Sequence, residues 1–296
     1  MLDVTVVILT KNEEVNLPDC LESVKDFATR CVVIDSGSID KTKEIAAKFS
    51  ADFYEHPFEN YARQFNWALD NTNITTKWTF RLDADERLTS ELKIELSGLV
   101  QKYESDDEVN GFTMEAWLYF LGHKIKHGCH TKRKLMMFKT GIGRIEDRKM
   151  DEHTILSHGR SVFCKHRFIH YDFKDMTHWV NKMNWYATRE MQDYFEYIQS
   201  RNTNKNQISK DQTIGNTRRL KFGLYYKLPI FLRSWILFFY YYIIKLGFLD
   251  GKEGYVMHYM YHLWYRSLVD SKILEQMIYN KPFEETGALN LSLIHI

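Results

Sequence analysis

The first hundred residues alternate short apolar runs with amphipathic stretches, and no other feature narrows the fold as much. Residues 4–9 are continuously apolar or β-branched, the pattern of a strand covered on both faces. Further strands are read at 31–35, 51–54 and 77–82. Helical stretches separate them. One runs to about Asp26, with Asn16 as its cap and Pro18 near its first turn. A second starts at Ser38 or Asp40 and passes through Phe49, a third covers 61–69, and a fourth runs from Thr89 or Ser90 to about Lys102. A β-α-β-α-β-α-β order predicts an α/β fold with a mainly parallel sheet flanked by helices. Ligands of such sheets bind beyond the carboxyl ends of the strands.

Three polar clusters fall at those ends: 10–13, 35–40 and 83–86. In Asp83-Ala84-Asp85 the two carboxylates are i and i+2 at a strand end, so they project to one face. Hard oxygen ligands suit Mg²⁺ or Mn²⁺, which commonly bridge carboxylates and a diphosphate. The same triplet also fits an ordinary exposed turn. Asp35 can accept from ribose hydroxyls or a uracil N–H, and Gly37 allows a ligand close to the backbone. Asn12 and Glu13 can either cap backbone groups or contact a base. Three strand ends delivering acids and amides to one edge favour a site over three unrelated turns.

A chain of 296 residues fits one large domain, or one domain with an extension, and its 44% hydrophobic content fills a core. Lys+Arg 40 against Asp+Glu 39 leaves a formal charge of +1, so no global field recruits nucleic acid. Cys20, Cys31, Cys129 and Cys164 are scattered without a C-x-x-C pair, which points to reduced thiols and a cytoplasmic setting. The N-terminus has no basic n-region and reads as a first strand, not a signal peptide. The last six residues, 291–296, match the translation of a sequencing-adapter end and are expected to be an artefactual tail.

Beyond Gly111 the pattern is mixed, with strand-like stretches at 112–119, 135–138 and 163–171. Residues 175–199 read as helix and 200–213 as a polar linker. The expected organisation is a catalytic domain over 1–199 and an aromatic-rich helical extension over 214–290. Residues 235–244 are ten consecutive apolar or aromatic side chains between Arg233 and Lys245. A spanning helix needs about 20 such residues, so this run suits a helix lying in the headgroup region, or a buried core helix.

The motifs Thr10-Lys11-Asn12-Glu13-Glu14, Asp35-Ser36-Gly37-Ser38-Ile39-Asp40 and Leu82-Asp83-Ala84-Asp85-Glu86-Arg87, in that order, resemble family 2 glycosyltransferases of the GT-A nucleotide-diphospho-sugar fold. The similarity is to the bacterial branch containing lipopolysaccharide core β-1,4-glucosyltransferases. The resemblance implies an inverting, metal-dependent hexosyltransferase. It would use a UDP-sugar donor, Mg²⁺ or Mn²⁺, and a saccharide acceptor that is lipid-linked, at the inner face of the cytoplasmic membrane. It implies that Thr10, Asn12 and Glu13 line the base site and that Asp35 holds uracil or ribose. Asp83 would sit by the ribose and metal, and Asp85 would ligate the metal. Arg63 and Asn66 resemble groups near the diphosphate, and His170 resembles an additional metal or diphosphate contact. An inverting transfer needs a carboxylate base; Glu152 or Asp151, then Asp147, are the candidates in the acidic stretch 145–153. His123, His127, His130 and His153 fit no zinc spacing. Lys132, Arg133 and Lys134 form a local basic patch that could meet phosphate on an acceptor lipid or sugar, or simply be solvated, the latter being the default expectation. A sugar nucleotidyltransferase would share the fold but needs a glycine-rich basic first loop, which the acidic 10–14 segment lacks. A non-catalytic protein retaining the fold is the remaining alternative.

Overall fold

The structure is a computed structural model and describes residues 1–129, 133–146, 153–172, 174–202 and 225–279. Two compact units make up the chain. The first comprises Met1–Lys124 and His130–Lys174; the second comprises Ile125–Cys129 and the chain from Asp175 onward. The helix expected at the end of the catalytic domain therefore groups with the C-terminal helices. The expected linker falls mostly, and the 291–296 tail wholly, outside the described residues.

The first unit is built on a seven-stranded sheet. Strands β1 (Leu2–Thr10), β2 (Ala28–Asp35), β3 (Asp52–Glu55) and β4 (Trp78–Asp83) are mutually parallel, with β1 between β2 and β4. Helices α1 (Leu17–Val24), α2 (Thr42–Lys48) and α3 (Tyr61–Asn71) connect them. Alternation along β1 explains why both sheet faces are covered. Val4, Val6 and Ile8 pack with Leu17, Leu21 and Val24 of α1, while Val7 and Leu9 pack with Ala62, Phe65 and Ala68 of α3. Every one of these side chains is essentially inaccessible, as expected of a strand with no polar face. Helix α4 (Ser90–Tyr103) adds Leu92 and Leu96 to the α1 side. Its cap is Thr89, whose hydroxyl accepts from the Leu92 N–H at 3.2 Å. Asn16 does not cap α1 in this way; its amide donates to Glu13 at 2.8 Å instead.

Two expected strands prove to be pairs. Residues 112–119 divide at Glu115 into β6 (Val109–Met114) and β7 (Ala116–Phe120). Residues 163–171 divide into the end of β12 (Arg160–Phe163) and β13 (Phe168–His170). In both cases the chain leaves the main sheet and enters a second one. Strands β6, β12 and β9 (Lys134–Lys139) complete the main sheet, with β9 antiparallel to β4 and β6. The second sheet runs β5 (Glu86–Arg87), β13, β7, β8 (His123–Lys124). The two-residue β5 and the antiparallel pair β10 (Gly143–Ile145) and β11 (Thr154–Leu156) are too short to show in sequence periodicity. Packing across the β4/β9/β6 region is aromatic: the Trp78 and Phe112 rings stack at 4.9 Å.

The second unit is helical. Helix α5 (Met176–Asn202) packs on α8 (Tyr265–Tyr279) through Met183, Ala187 and Met191 against Tyr265, Val269 and Ile273. Between them lie α6 (Leu232–Phe239), which continues as a π-helical segment Tyr240–Ile244, then a turn at Gly247–Asp250, then α7 (Gly251–His258). The buried His258 ring lies against Gly247, where a Cβ would come within 2.3 Å of it, so only glycine closes this turn. Asp250 accepts from the Lys126 and His127 N–H groups and pairs with the His127 ring at 3.0 Å. His127 is thus a partly buried structural contact.

Phe112 is fully buried. Phe112→Ala is expected to cost about 3–5 kcal/mol and to lower the urea midpoint of the first unit, followed by tryptophan fluorescence.

Candidate active site

Register places the strand ends side by side. Thr10 is the parallel partner of Asp35, and Leu9 is the partner of Asp83. The three polar clusters seen in sequence therefore share one edge of the sheet.

The first two clusters brace one another. Both oxygens of Asp35 are engaged: Oδ1 accepts from the Thr10 hydroxyl at 2.9 Å and from the Ser38 hydroxyl, and Oδ2 accepts from the Gly37 and Ser38 N–H groups at 2.9 and 2.6 Å. Gly37 has φ +83°, so the turn that delivers these N–H groups needs glycine. Asn12, itself at φ +54°, accepts from the Ile39 N–H at 2.9 Å. Glu13 is buried, accepts from Asn16 and pairs with Lys174 at 3.1 Å. A four-bond carboxylate such as Asp35 has filled its lone pairs. It shapes the turn, and a ligand hydroxyl would have to share or displace one of its partners.

The third cluster carries an uneven charge balance. Asp83, Asp85 and Glu86 are all buried. Asp83 Oδ1 accepts from the Tyr61 hydroxyl at 2.8 Å, and Tyr61 in turn accepts from Arg81 Nε. Lys134 on β9 reaches Glu86 at 2.9 Å and Asp83 at 3.8 Å. Glu86 also accepts from the Asp83 N–H at 3.0 Å, which fixes the turn. Burial alone would push the Asp83 carboxyl up, but Lys134, Arg81 and the Tyr61 hydroxyl outweigh it and hold it below the usual carboxylate range. Burial raises the Glu86 carboxyl, aided by the Asp83 charge and opposed by Lys134.

Asp85 is different. Strand pairing sets His170 opposite Glu86, and the Tyr171 N–H donates to the Asp85 carbonyl at 2.8 Å. This brings His170 Nδ1 to 3.6 Å from Asp85 Oδ1. Both atoms are buried, and neither has a hydrogen-bond partner. An unpaired buried carboxylate oxygen is costly. A carboxylate oxygen beside an imidazole nitrogen is a donor set that could hold a divalent cation. Among the described residues no cluster of three or more His, Cys, Asp or Glu is placed to hold a metal; this pair could supply two ligands at most.

The remaining candidates lie elsewhere in the geometry. Asn66 is paired on both sides with the Ile145 backbone, donating at 2.7 Å and accepting at 3.0 Å, and so pins β10 to α3. Arg63 is exposed and pairs with Glu59 one turn back on its helix. Glu152, Asp151 and Asp147 lie outside the described residues, as do His130 and Lys132. Four contributors carried no site role in the sequence reading: Tyr61, Arg81, Glu86 and Lys134. Arg81 had a visible signal, since a charged residue inside an otherwise apolar buried strand demands a partner. Lys134, expected to be solvated, is instead the counterion of two buried acids.

With this geometry in view, the family is plain. The glycosyl transferase family 2 model matches residues 5–154, and the chain belongs to that family. Its mainly parallel sheet flanked by helices is the GT-A fold of that family, and the chain is homologous to a lipopolysaccharide core transferase. That relative is the lipopolysaccharide core biosynthesis glycosyltransferase LpsC of Rhizobium meliloti, 30% identical over 151 residues, which are 49% of this chain and 54% of LpsC. An uncharacterized glycosyltransferase of Rickettsia bellii is 33% identical over 103 residues, 35% of this chain and 34% of that protein. The chain thus spans about half the length of the first relative and a third of the second. Among solved structures, glucosyl-3-phosphoglycerate synthase from Mycobacterium tuberculosis with Mn²⁺ and UDP-glucose is 18% identical, with a TM-score of 0.31, covering 39% of this chain and 43% of that one.

The charge balance predicts an acid-stability limb. Asp83 is depressed when folded, so its pairing stabilises fully above the unfolded carboxylate pKa of about 4 and is lost as pH falls through its lowered folded value. Lys134→Met removes the main counterion. It is expected to cost about 1–2 kcal/mol at neutral pH, less than a fully buried pair because the lysine is a third open to solvent. It is also expected to flatten the acid limb in urea titrations across pH 2–7.

Proposed function

We propose that this family 2 transferase moves a hexose, with inversion, from a UDP-sugar to a saccharide acceptor carried on a lipid-linked glycan such as lipopolysaccharide core. It would work at the inner face of the cytoplasmic membrane, in contact with it. The observation that carries the donor half of this reading is Asp85 Oδ1, 3.6 Å from His170 Nδ1 with neither atom hydrogen-bonded, at the end of a sheet whose neighbouring acids are compensated by Lys134.

In this reading Asp85 and His170 hold Mn²⁺ or Mg²⁺. The bound cation supplies charge neutralisation for the departing diphosphate. Asp83, held ionised by Lys134 and Arg81, borders the ribose and the cation. The Thr10–Asp35–Ser38 brace presents a preformed turn to the nucleoside, with Asn12 and Glu13 on its base side. Arg63 can release Glu59 to meet a phosphate, since both are exposed. Asn66 holds β10 at the start of the acidic 145–153 stretch. The acceptor hydroxyl attacks the anomeric carbon opposite the diphosphate, and a carboxylate takes its proton. Glu152 is the favoured base, with Asp151 and then Asp147 next. The support is the family's need for such a group and the acidity of this stretch. The relationship to LpsC supports a surface-glycan acceptor.

Asp85→Asn is expected to keep the fold and to abolish the gain in UDP affinity that Mn²⁺ gives the unaltered protein, measured by titration calorimetry with and without metal. An undiminished metal effect would remove Asp85 as ligand. Glu152→Gln is expected to leave UDP binding unchanged while slowing transfer by about 10²–10⁴-fold. Wild-type rates would move the base to Asp151 or Asp147.

A further inference from the structure

Helix α6 is inside out. Its buried residues are Arg233 and Ser234, and no apolar side chain of the helix is fully buried. Arg233 Nε donates to Asp270 Oδ1 at 2.8 Å, and the Phe231 N–H donates to the other oxygen at 2.9 Å. The guanidinium also stacks over Tyr225 and Tyr226, at 5.0 and 4.6 Å from the ring centres. Ser234 donates to the Phe231 carbonyl and meets Ser267 at 3.1 Å. The inner face of the helix is therefore polar and specifically paired.

The outer face is apolar. Leu232, Trp235, Ile236, Phe239, Tyr240 and Ile243 recur at i, i+3 and i+4, and each is 39–58% exposed. A helix bordering water shows the reverse distribution. The apolar surface continues past the π-helical segment into Leu246, Phe248 and Leu249 of the adjoining turn, at 46, 42 and 55% exposure. A contiguous apolar surface of this kind marks an interaction site.

The charge at its margin selects the partner. Lys227, Lys245 and Lys252 are exposed. From Tyr225 to Tyr265 the only acids are Asp250 and Glu253. Asp250 is 3% exposed, and Glu253 is three-quarters covered beside Lys252. Exposed tryptophan and tyrosine amid lysines, with no freely exposed acid, match the headgroup zone of an anionic bilayer. The segment Leu232–Ile244 is about 20 Å long at 1.5 Å per residue, short of the ~30 Å hydrocarbon thickness. It meets the following helical stretch at a 71° bend, and no single helix among the described residues is long and apolar enough to cross a membrane.

We infer that the outward face of Leu232–Ile244, with the tip Leu246–Leu249, docks in the plane of an anionic phospholipid surface as an interfacial wedge. The buried Arg233–Asp270 pair fixes the helix so that its apolar face stays outward. This inference rests on the lipid-linked acceptor proposed above for its biological sense, but it concerns lipid binding alone and not the chemistry at Asp85.

The test is flotation of the full chain with vesicles of phosphatidylcholine alone or mixed with phosphatidylglycerol. Preferential binding to the anionic vesicles is expected. The double variant Trp235→Ser/Phe239→Ser should weaken it at least about tenfold while keeping the thermal midpoint, and Lys245→Glu/Lys252→Glu should remove the anionic preference. Brominated lipid should quench the unaltered protein more than Trp235→Phe. Equal vesicle binding by the unaltered protein and the double variant would overturn the inference. So would lipid-free dimerisation, seen by sedimentation velocity, that the same double substitution abolishes. UDP binding measured in parallel separates the two ideas: loss of vesicle binding with Mn²⁺-dependent UDP binding retained supports the wedge. A protein that floats as expected but binds no UDP leaves the wedge standing and removes the proposed donor site.

Discussion

Lys134 is the counterion on which the site edge depends. Three carboxylates, Asp83, Asp85 and Glu86, are buried within four residues of chain. Three ionised acids so close would repel one another and take up protons. Lys134 compensates Glu86 and Asp83, and Arg81 acts on Asp83 through the Tyr61 hydroxyl. Among the fully buried oxygens of these three acids, Asp85 Oδ1 is without a hydrogen-bond partner. The site is therefore not a generic acidic pool. It has one fully buried oxygen without a hydrogen-bond partner, 3.6 Å from an imidazole nitrogen in the same state, and the proposed function places a divalent cation at that asymmetry.

The scaffold was legible wherever a strand is buried on both faces. The runs ending at Thr10 and Asp35 are largely apolar without alternation, the one ending at Asp83 alternates Trp78, Phe80 and Leu82 with Thr79 and Arg81 yet is buried throughout, and each is a central strand of the sheet. The middle of the chain was harder for a physical reason. At Glu115, and between Phe163 and Phe168, the chain passes from one sheet to the other without a glycine or proline to mark the step. Glu115 pairs with Arg133 and Arg167, so what marks the step is a long-range ionic contact, and no local pattern encodes it.

The site divided along the same line. Asp83, Asp85 and Asp35 announce themselves because acids at strand ends are conspicuous. Their partners do not. Lys134 lies 48 residues from Glu86, inside a run that composition alone assigns to a solvated patch. His170 was singled out by resemblance, and the pairing of β5 with β13 supplies the reason for its position. Asp35 shows the limit of reasoning from residue type. An acid at a strand end can bind a ligand or build a turn, and four accepted hydrogen bonds show how fully this one is committed to the turn.

Helix α6 of the second unit inverts the ordinary rule of burial, and the inversion has an energetic logic. A buried ion pair such as Arg233–Asp270 is seldom worth more than well-packed apolar residues of the same volume. The helix has apolar side chains available, Leu232, Trp235 and Ile236 among them, yet the arginine occupies the core. Stability of an isolated unit in water does not account for that choice. Orientation does, because removing either charge leaves the other buried and unpaired, so rotation of α6 about its axis is strongly opposed. A fixed apolar outer face suits a partly apolar medium, which is what the membrane docking inferred above would provide.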